Sequence, residues 1–125
     1  MNTPVSSSDA PAAIGPYSHA IRTGNFLFIS GQTSIDPATD NIVPGGPAAE
    51  ATQCLKNIQA ILQAAKMDLQ NVVKVTVFLT DMAHFSLVNE VYTKVFFAPF
   101  PARSCVAVKA LPRGCLVEIE AIAAQ

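Results

Sequence analysis

The stretch Pro101–Ala123 constrains the fold most. It reads Pro-Ala-Arg-Ser-Cys-Val-Ala-Val-Lys-Ala-Leu-Pro-Arg-Gly-Cys-Leu-Val-Glu-Ile-Glu-Ala-Ile-Ala. Two apolar runs, Ser104–Ala110 and Leu116–Ala123, flank Pro112-Arg113-Gly114. Proline presets one turn position and glycine accepts a positive φ, so the pattern predicts a terminal hairpin. In the second run Glu118 and Glu120 alternate with Val117, Ile119 and Ala121. A strand has period two, so both carboxylates point away from those apolar residues. Arg103 stands at the mouth of the first run. One fixed cation and two carboxylates on otherwise apolar strands are costly unless they have partners or a task.

The rest of the chain supplies elements for such strands to pair with. Residues 1–9 read as a flexible tail and 10–125 as a single domain. Ser18–Arg22 and Phe26–Ser30 predict two short strands turning at Thr23-Gly24-Asn25. Gly31 ends the second and lets a ligand or another backbone come close. A helix is expected from Pro47, with Ala51, Cys54, Leu55, Ile58, Ile61, Leu62 and Ala65 on one stripe. Asn71–Thr80 alternates as a strand. Asp81 suits the cap of a second helix bearing Phe85, Val88, Tyr92, Val95 and Phe96, which Pro99 and Pro101 close. The order β-β-α-β-α-β-β is that of an α+β domain, a mixed sheet with two helices on one face.

Composition narrows the function. Half of the 125 residues are hydrophobic and 14% are charged, so other copies of the chain are expected to cover some apolar surface. The net charge is −1 and no Lys/Arg cluster occurs, so nucleic acid is not an expected partner. No apolar run has the roughly 18–20 residues of a membrane span. Met1–Asp9 lacks a signal-peptide pattern, and Cys54, Cys105 and Cys115 read as reduced thiols, so the cytoplasm is the expected compartment. His19 and His84 lie far apart and no Cys or His pair has zinc-site spacing, so no metal is expected. Neither a nucleophile elbow nor a phosphate loop is present. Cys105 has no neighbouring base and reads as a small strand residue rather than a nucleophile. Glu118 and Glu120 read equally well as solvent-facing edge residues. Arg103 fits either a surface salt bridge or a fork for a small carboxylate.

Five blocks resolve these alternatives by resemblance. They are Ala13-Ile14-Gly15-Pro16-Tyr17-Ser18, Ile29-Ser30-Gly31-Gln32, Val88-Asn89-Glu90-Val91-Tyr92, Phe100-Pro101-Ala102-Arg103 and Glu118-Ile119-Glu120-Ala121-Ile122-Ala123. In this order, from about Ala10 to the C-terminus, the chain resembles the Rid family (YjgF, or liver perchloric-acid-soluble protein family), and within it the RidA subgroup. The resemblance implies a chorismate-mutase-like fold, a homotrimer and ligand sites between subunits. It implies hydrolysis of 2-imino acids, the enamine and imine products of pyridoxal-phosphate enzymes, to 2-oxo acids and ammonia, with no cofactor. Arg103 matches the family's carboxylate-binding arginine and Glu118 the carboxylate assigned to the attacking water. Tyr17, Ser30, Gly31, Asn89 and Cys105 match positions lining the pocket. Periodicity leaves Glu118 and Glu120 equivalent; the resemblance selects Glu118. The other readings are a carboxylate-binding regulatory module without efficient turnover, and a ribonuclease or translation inhibitor.

Overall fold

A computed structural model describes residues 1–125. In chain order it contains β1 (Thr3–Val5), β2 (Ala20–Thr23), β3 (Phe26–Thr33), β4 (Ile35–Asp36) and β5 (Asn41–Ile42). Helix α1 (Pro47–Ala64), β6 (Val72–Leu79), α2 (Phe85–Val95), β7 (Ala102–Ala107) and β8 (Val117–Ala124) follow. One six-stranded sheet has the order β1-β2-β3-β8-β6-β7, and β4 and β5 form a separate small ladder. All neighbours in the large sheet are antiparallel except β6 and β7, which run parallel with α2 as their crossover.

The helices start where the sequence places them. Pro47 sits in the first turn of α1, where a missing N–H costs nothing. Ala51, Cys54, Leu55, Ile58, Ile61 and Leu62 are all buried, and α1 packs this stripe on β3 and β8. The Asp81 side chain accepts from the Ala83 N–H at 2.9 Å. That bond caps a short 3-10 turn, Met82–His84, which leads into α2.

Alternation gives the sheet two unlike faces. Leu27, Ile29, Val75, Val77, Val117, Ile119, Ala121 and Ala123 are buried on the helix side. No helix covers the other face, where Phe28 and Val106 stay exposed. Slipping β8 by one residue would expose Val117 and Ile119 and send Glu118 and Glu120 into the core. Each large aliphatic side chain contributes about 1.5–3 kcal/mol, and two unpaired carboxyls add a desolvation cost of several more. That sum rivals the whole stability of a small domain, roughly 5–15 kcal/mol, so the face that carries Glu118 is fixed.

Three expectations are corrected. The terminal stretch is not a hairpin, because β6 lies between β7 and β8. The most apolar strand, β8, takes a central place, while the crossover through α2 lays β7 parallel to β6 at the edge. The connection arches over the end of β6: the Val108 N–H donates to Leu79 O at 2.7 Å and the Thr80 N–H donates to Leu116 O at 3.2 Å. The turn itself is present, with positive φ at Arg113 (58°) and Gly114 (75°). Secondly, residues 1–9 are not wholly a loose tail, since Thr3–Val5 pairs with Ala20–Arg22. Thirdly, Gly31 lies inside β3, which runs on to Thr33, at a register shift between Ile29 and Gln32.

Candidate active site

The first cluster forms where α2 meets β7. Arg103 is in register with buried Val75 of β6, so its side chain leaves the sheet on the helix face. There its Nη1 donates to Asn89 Oδ1 at 2.8 Å. The guanidinium lies 4.6 Å from the Tyr92 ring centroid and 5.5 Å from that of Phe85. Residues 85, 89 and 92 share one stripe of α2, so a single helical face holds the cation. Nε and Nη2 take no protein partner, which leaves two donors of an exposed guanidinium free to accept a carboxylate side by side. Cys105, two residues along β7, has the same orientation. Burial pushes its thiol pKa up, and the Arg103 charge opposes this only in part. The thiol therefore stays protonated at neutral pH, in keeping with a pocket-lining role.

The second cluster lies on the opposite face. Glu118 is in register with Thr33 of β3 and Phe78 of β6 and is half-buried. Its carboxylate rests over Gly31: a Cβ placed there would meet Glu118 Oε2 and stand 3.0 Å from its Cδ. The close approach foreseen at this glycine is thus made by the candidate base. Burial first, and the charge of Glu120 second, raise the Glu118 pKa above the ordinary carboxylate value. Ser30 precedes Gly31 and donates through Oγ to Ser18 O at 2.6 Å. That bond ties the strand to the loop carrying Tyr17, whose ring is half-exposed.

The sequence-predicted residues therefore fall into two sets. Arg103, Asn89 and Cys105 stand together at one edge; Glu118, Gly31, Ser30 and the Tyr17 loop stand together elsewhere. The three main concavities of the chain include neither Arg103 nor Glu118. One, of about 340 Å³ on the open sheet face, is lined by Ser30, Lys74, Thr76 and Glu120 among others. No group of three or more His, Cys, Asp or Glu side chains is placed to hold a metal ion. Sequence reasoning missed Phe85 and Tyr92 as the seat of Arg103, assigning both to an apolar stripe. Their spacing from Asn89 was the available signal.

Fold and clusters together define a small α+β domain with one open sheet face and the two halves of a carboxylate site on opposite sides. Residues 7–125 match the family model described as Endoribonuclease L-PSP. The chain belongs to this family, the Rid (YjgF) family. A RutC family protein of Sinorhizobium fredii is 54% identical over 98% of this chain and 97% of its own length. The 2-iminobutanoate/2-iminopropanoate deaminase of Mus musculus is 53% identical, covering 97% of this chain and 90% of its own. Among solved structures, Escherichia coli TdcF with bound serine superposes with a TM-score of 0.94 at 40% identity, covering 98% of each chain.

Proposed function

We propose that this chain is a 2-imino acid deaminase, active toward substrates such as 2-iminobutanoate and 2-iminopropanoate, that works as a homotrimer with its sites between subunits. The observation that carries the proposal is the division of the site. Arg103 is seated and partly unpartnered on the helix face of the sheet, while Glu118 waits on the open face. Bringing a second copy's open face to the β7 edge unites them and covers Phe28 and Val106. The deaminases among the relatives support the reaction class. The serine held by the Escherichia coli protein bears the small α-carboxylate that Arg103 suits.

The chemistry follows from the two halves. The free donors of Arg103 grip the substrate carboxylate in two parallel hydrogen bonds, which fixes the adjacent iminium carbon beside Glu118. Glu118 takes a proton from water as the water oxygen bonds to that carbon, and the C=N π pair moves to nitrogen. Its raised pKa keeps the transferred proton available for the nitrogen. The C–N bond then breaks, ammonia leaves, the hydroxyl proton is lost, and the C–O bond becomes the ketone of the 2-oxo acid. No electrons change hands.

The test generates 2-imino acids in situ from several amino acids and follows 2-oxo acid release. Wild-type protein should accelerate it, while Arg103→Ala and Glu118→Gln should not. Binding of 2-oxobutanoate without acceleration would favour the regulatory-module reading instead. Sedimentation at micromolar concentration should give one species of three chains; an active monomer would overturn the assembly. Ribonuclease chemistry has less support, since both ring nitrogens of His19 are engaged, with the Ser7 N–H at 3.1 Å and Pro11 O at 2.6 Å.

A further inference from the structure

Glu50 is a buried carboxyl that the proposed chemistry does not use. It lies in the first turn of α1 and is 5% exposed. Its Oε1 accepts from Ser34 Oγ and from the Leu116 N–H, both at 2.7 Å. These donors flank Glu118 on two strands. Leu116 precedes it by two residues on the way into β8, and Ser34 directly follows Thr33, its register partner on β3. One turn further along α1, Cys54 Sγ donates to Val117 O at 3.4 Å. Leu116 O in turn accepts from the Thr80 N–H. The backbone entering Glu118 is thus tied at three polar groups, two of them by one face of α1.

The ties come where the sheet ladder is weakest. The register between β3 and β8 shifts between Ile29 and Gln32, the region where Gly31 meets the Glu118 carboxylate. A ladder interrupted by such an irregularity fixes the height of one strand against the other less firmly. A buried carboxyl costs free energy that a leucine would not, so its two hydrogen bonds are what this position supplies.

We infer that Glu50 is a positioning residue: by pinning Leu116 and Ser34 it sets β8 against β3 and holds the Glu118 carboxylate over Gly31. The inference rests on the assignment of Glu118 as the base that activates water. Arg103 stands on the far edge strand and the other face, so loss of the pin should impair water activation and spare carboxylate binding.

The experiment compares wild type, Glu50→Ala, Glu50→Gln and Glu118→Gln. Imine turnover gives kcat and KM, and calorimetry gives the affinity for 2-oxobutanoate. Glu50→Ala should lower kcat on the order of 10- to 100-fold, the scale of an ångström-sized misplacement. Its 2-oxobutanoate affinity should stay within about twofold. Glu50→Gln keeps an acceptor oxygen for both donors and should restore most of kcat. Should Glu50→Ala fail to fold, Ser34→Ala removes one donor only and should show the same split, smaller. The inference is overturned if kcat and affinity fall together, if Gln is as impaired as Ala, or if Glu50→Ala or Ser34→Ala turns over like wild type. Full turnover by Glu118→Gln would overturn the base assignment instead, so the two failures are distinct.

Discussion

Arg103 and Glu118 leave opposite faces of one sheet, with β6 between their strands. Along β6 their register partners are Val75 and Phe78. Three residues of rise and two strand spacings put their Cα atoms about 14 Å apart, and the sheet itself stands between the side chains. No rotamer change brings both onto one small imino acid. Subunit mixing tests whether the working pair comes from two chains. Arg103→Ala and Glu118→Gln proteins, each nearly inactive, would be unfolded and refolded together in equal amounts. Roughly a quarter of the clefts then hold both native residues, and activity should return to about that fraction. Hybrid trimers confirmed by mass spectrometry but lacking activity would show that one chain supplies both.

The raised pKa of Glu118 makes two expectations about pH. As a base it works deprotonated, so the acid limb of kcat/KM should lie above the ordinary glutamate value of about 4.3. Glu120→Gln removes the like charge, the smaller of the two causes, and should move that limb down. The sign for stability is the reverse of a salt-bridged carboxylate. The folded chain binds this proton more tightly than the unfolded chain, so stability falls as pH rises from the unfolded pKa through the folded one. Glu118→Gln should therefore melt higher than wild type at neutral pH, and the difference should shrink in acid. An equal difference at both pH values would show that the carboxyl is not destabilised by burial.

Gly31 offers a separation of fold from function. Its φ is not in the left-handed region, so Gly31→Ala strains no backbone. The new methyl would instead meet the Glu118 carboxylate, the far end of a flexible side chain. That side chain can swing away at little cost to folding, but not without leaving its place. Gly31→Ala should melt within a few degrees of wild type and lose turnover by about tenfold or more. Thermal melts with kcat measurements check this; unchanged kcat would mean that Glu118 works from another position.

The parts of this fold legible in the sequence are those written in local patterns. Pro47 and the stripe behind it place α1, Asp81 places the start of α2, and the alternation in Val72–Leu79 and Val117–Ala124 gives both strands and their buried faces. The pairing of strands is not local. Pro112-Arg113-Gly114 does turn the chain, yet a turn signal does not say whether the flanking strands pair or straddle a third. Thr3–Val5 becomes a strand only because the edge of β2 accepts it. The same limit hid the division of the site. Period two relates Glu118 to Glu120 within a strand but says nothing of Arg103 on another. Glu50 likewise reads as an ordinary acid in a first helical turn until folding brings Leu116 and Ser34 to it.

The seat of Arg103 yields a prediction complementary to the one for Gly31. Tyr92 is 4% exposed, its ring lies beneath the guanidinium, and its hydroxyl has no hydrogen-bond partner. The ring, rather than the hydroxyl, is therefore what holds the cation. A cation–π contact contributes about 0.5–2 kcal/mol. If Arg103 grips the substrate carboxylate, losing the aromatic face should raise KM by roughly 2- to 30-fold, the equivalent of that energy. Tyr92→Phe keeps the ring and sheds an unsatisfied polar group, so KM should stay at the wild-type value and the melting temperature should not fall. Tyr92→Leu keeps the apolar character and loses the face, so KM should rise while kcat changes little, because Glu118 lies on the other side of the sheet. Steady-state kinetics on both variants, with thermal melts alongside, separate this from simple packing. A fall in kcat that tracks the melting temperature, with KM unmoved, would show that Tyr92 only fills the core and does not orient Arg103.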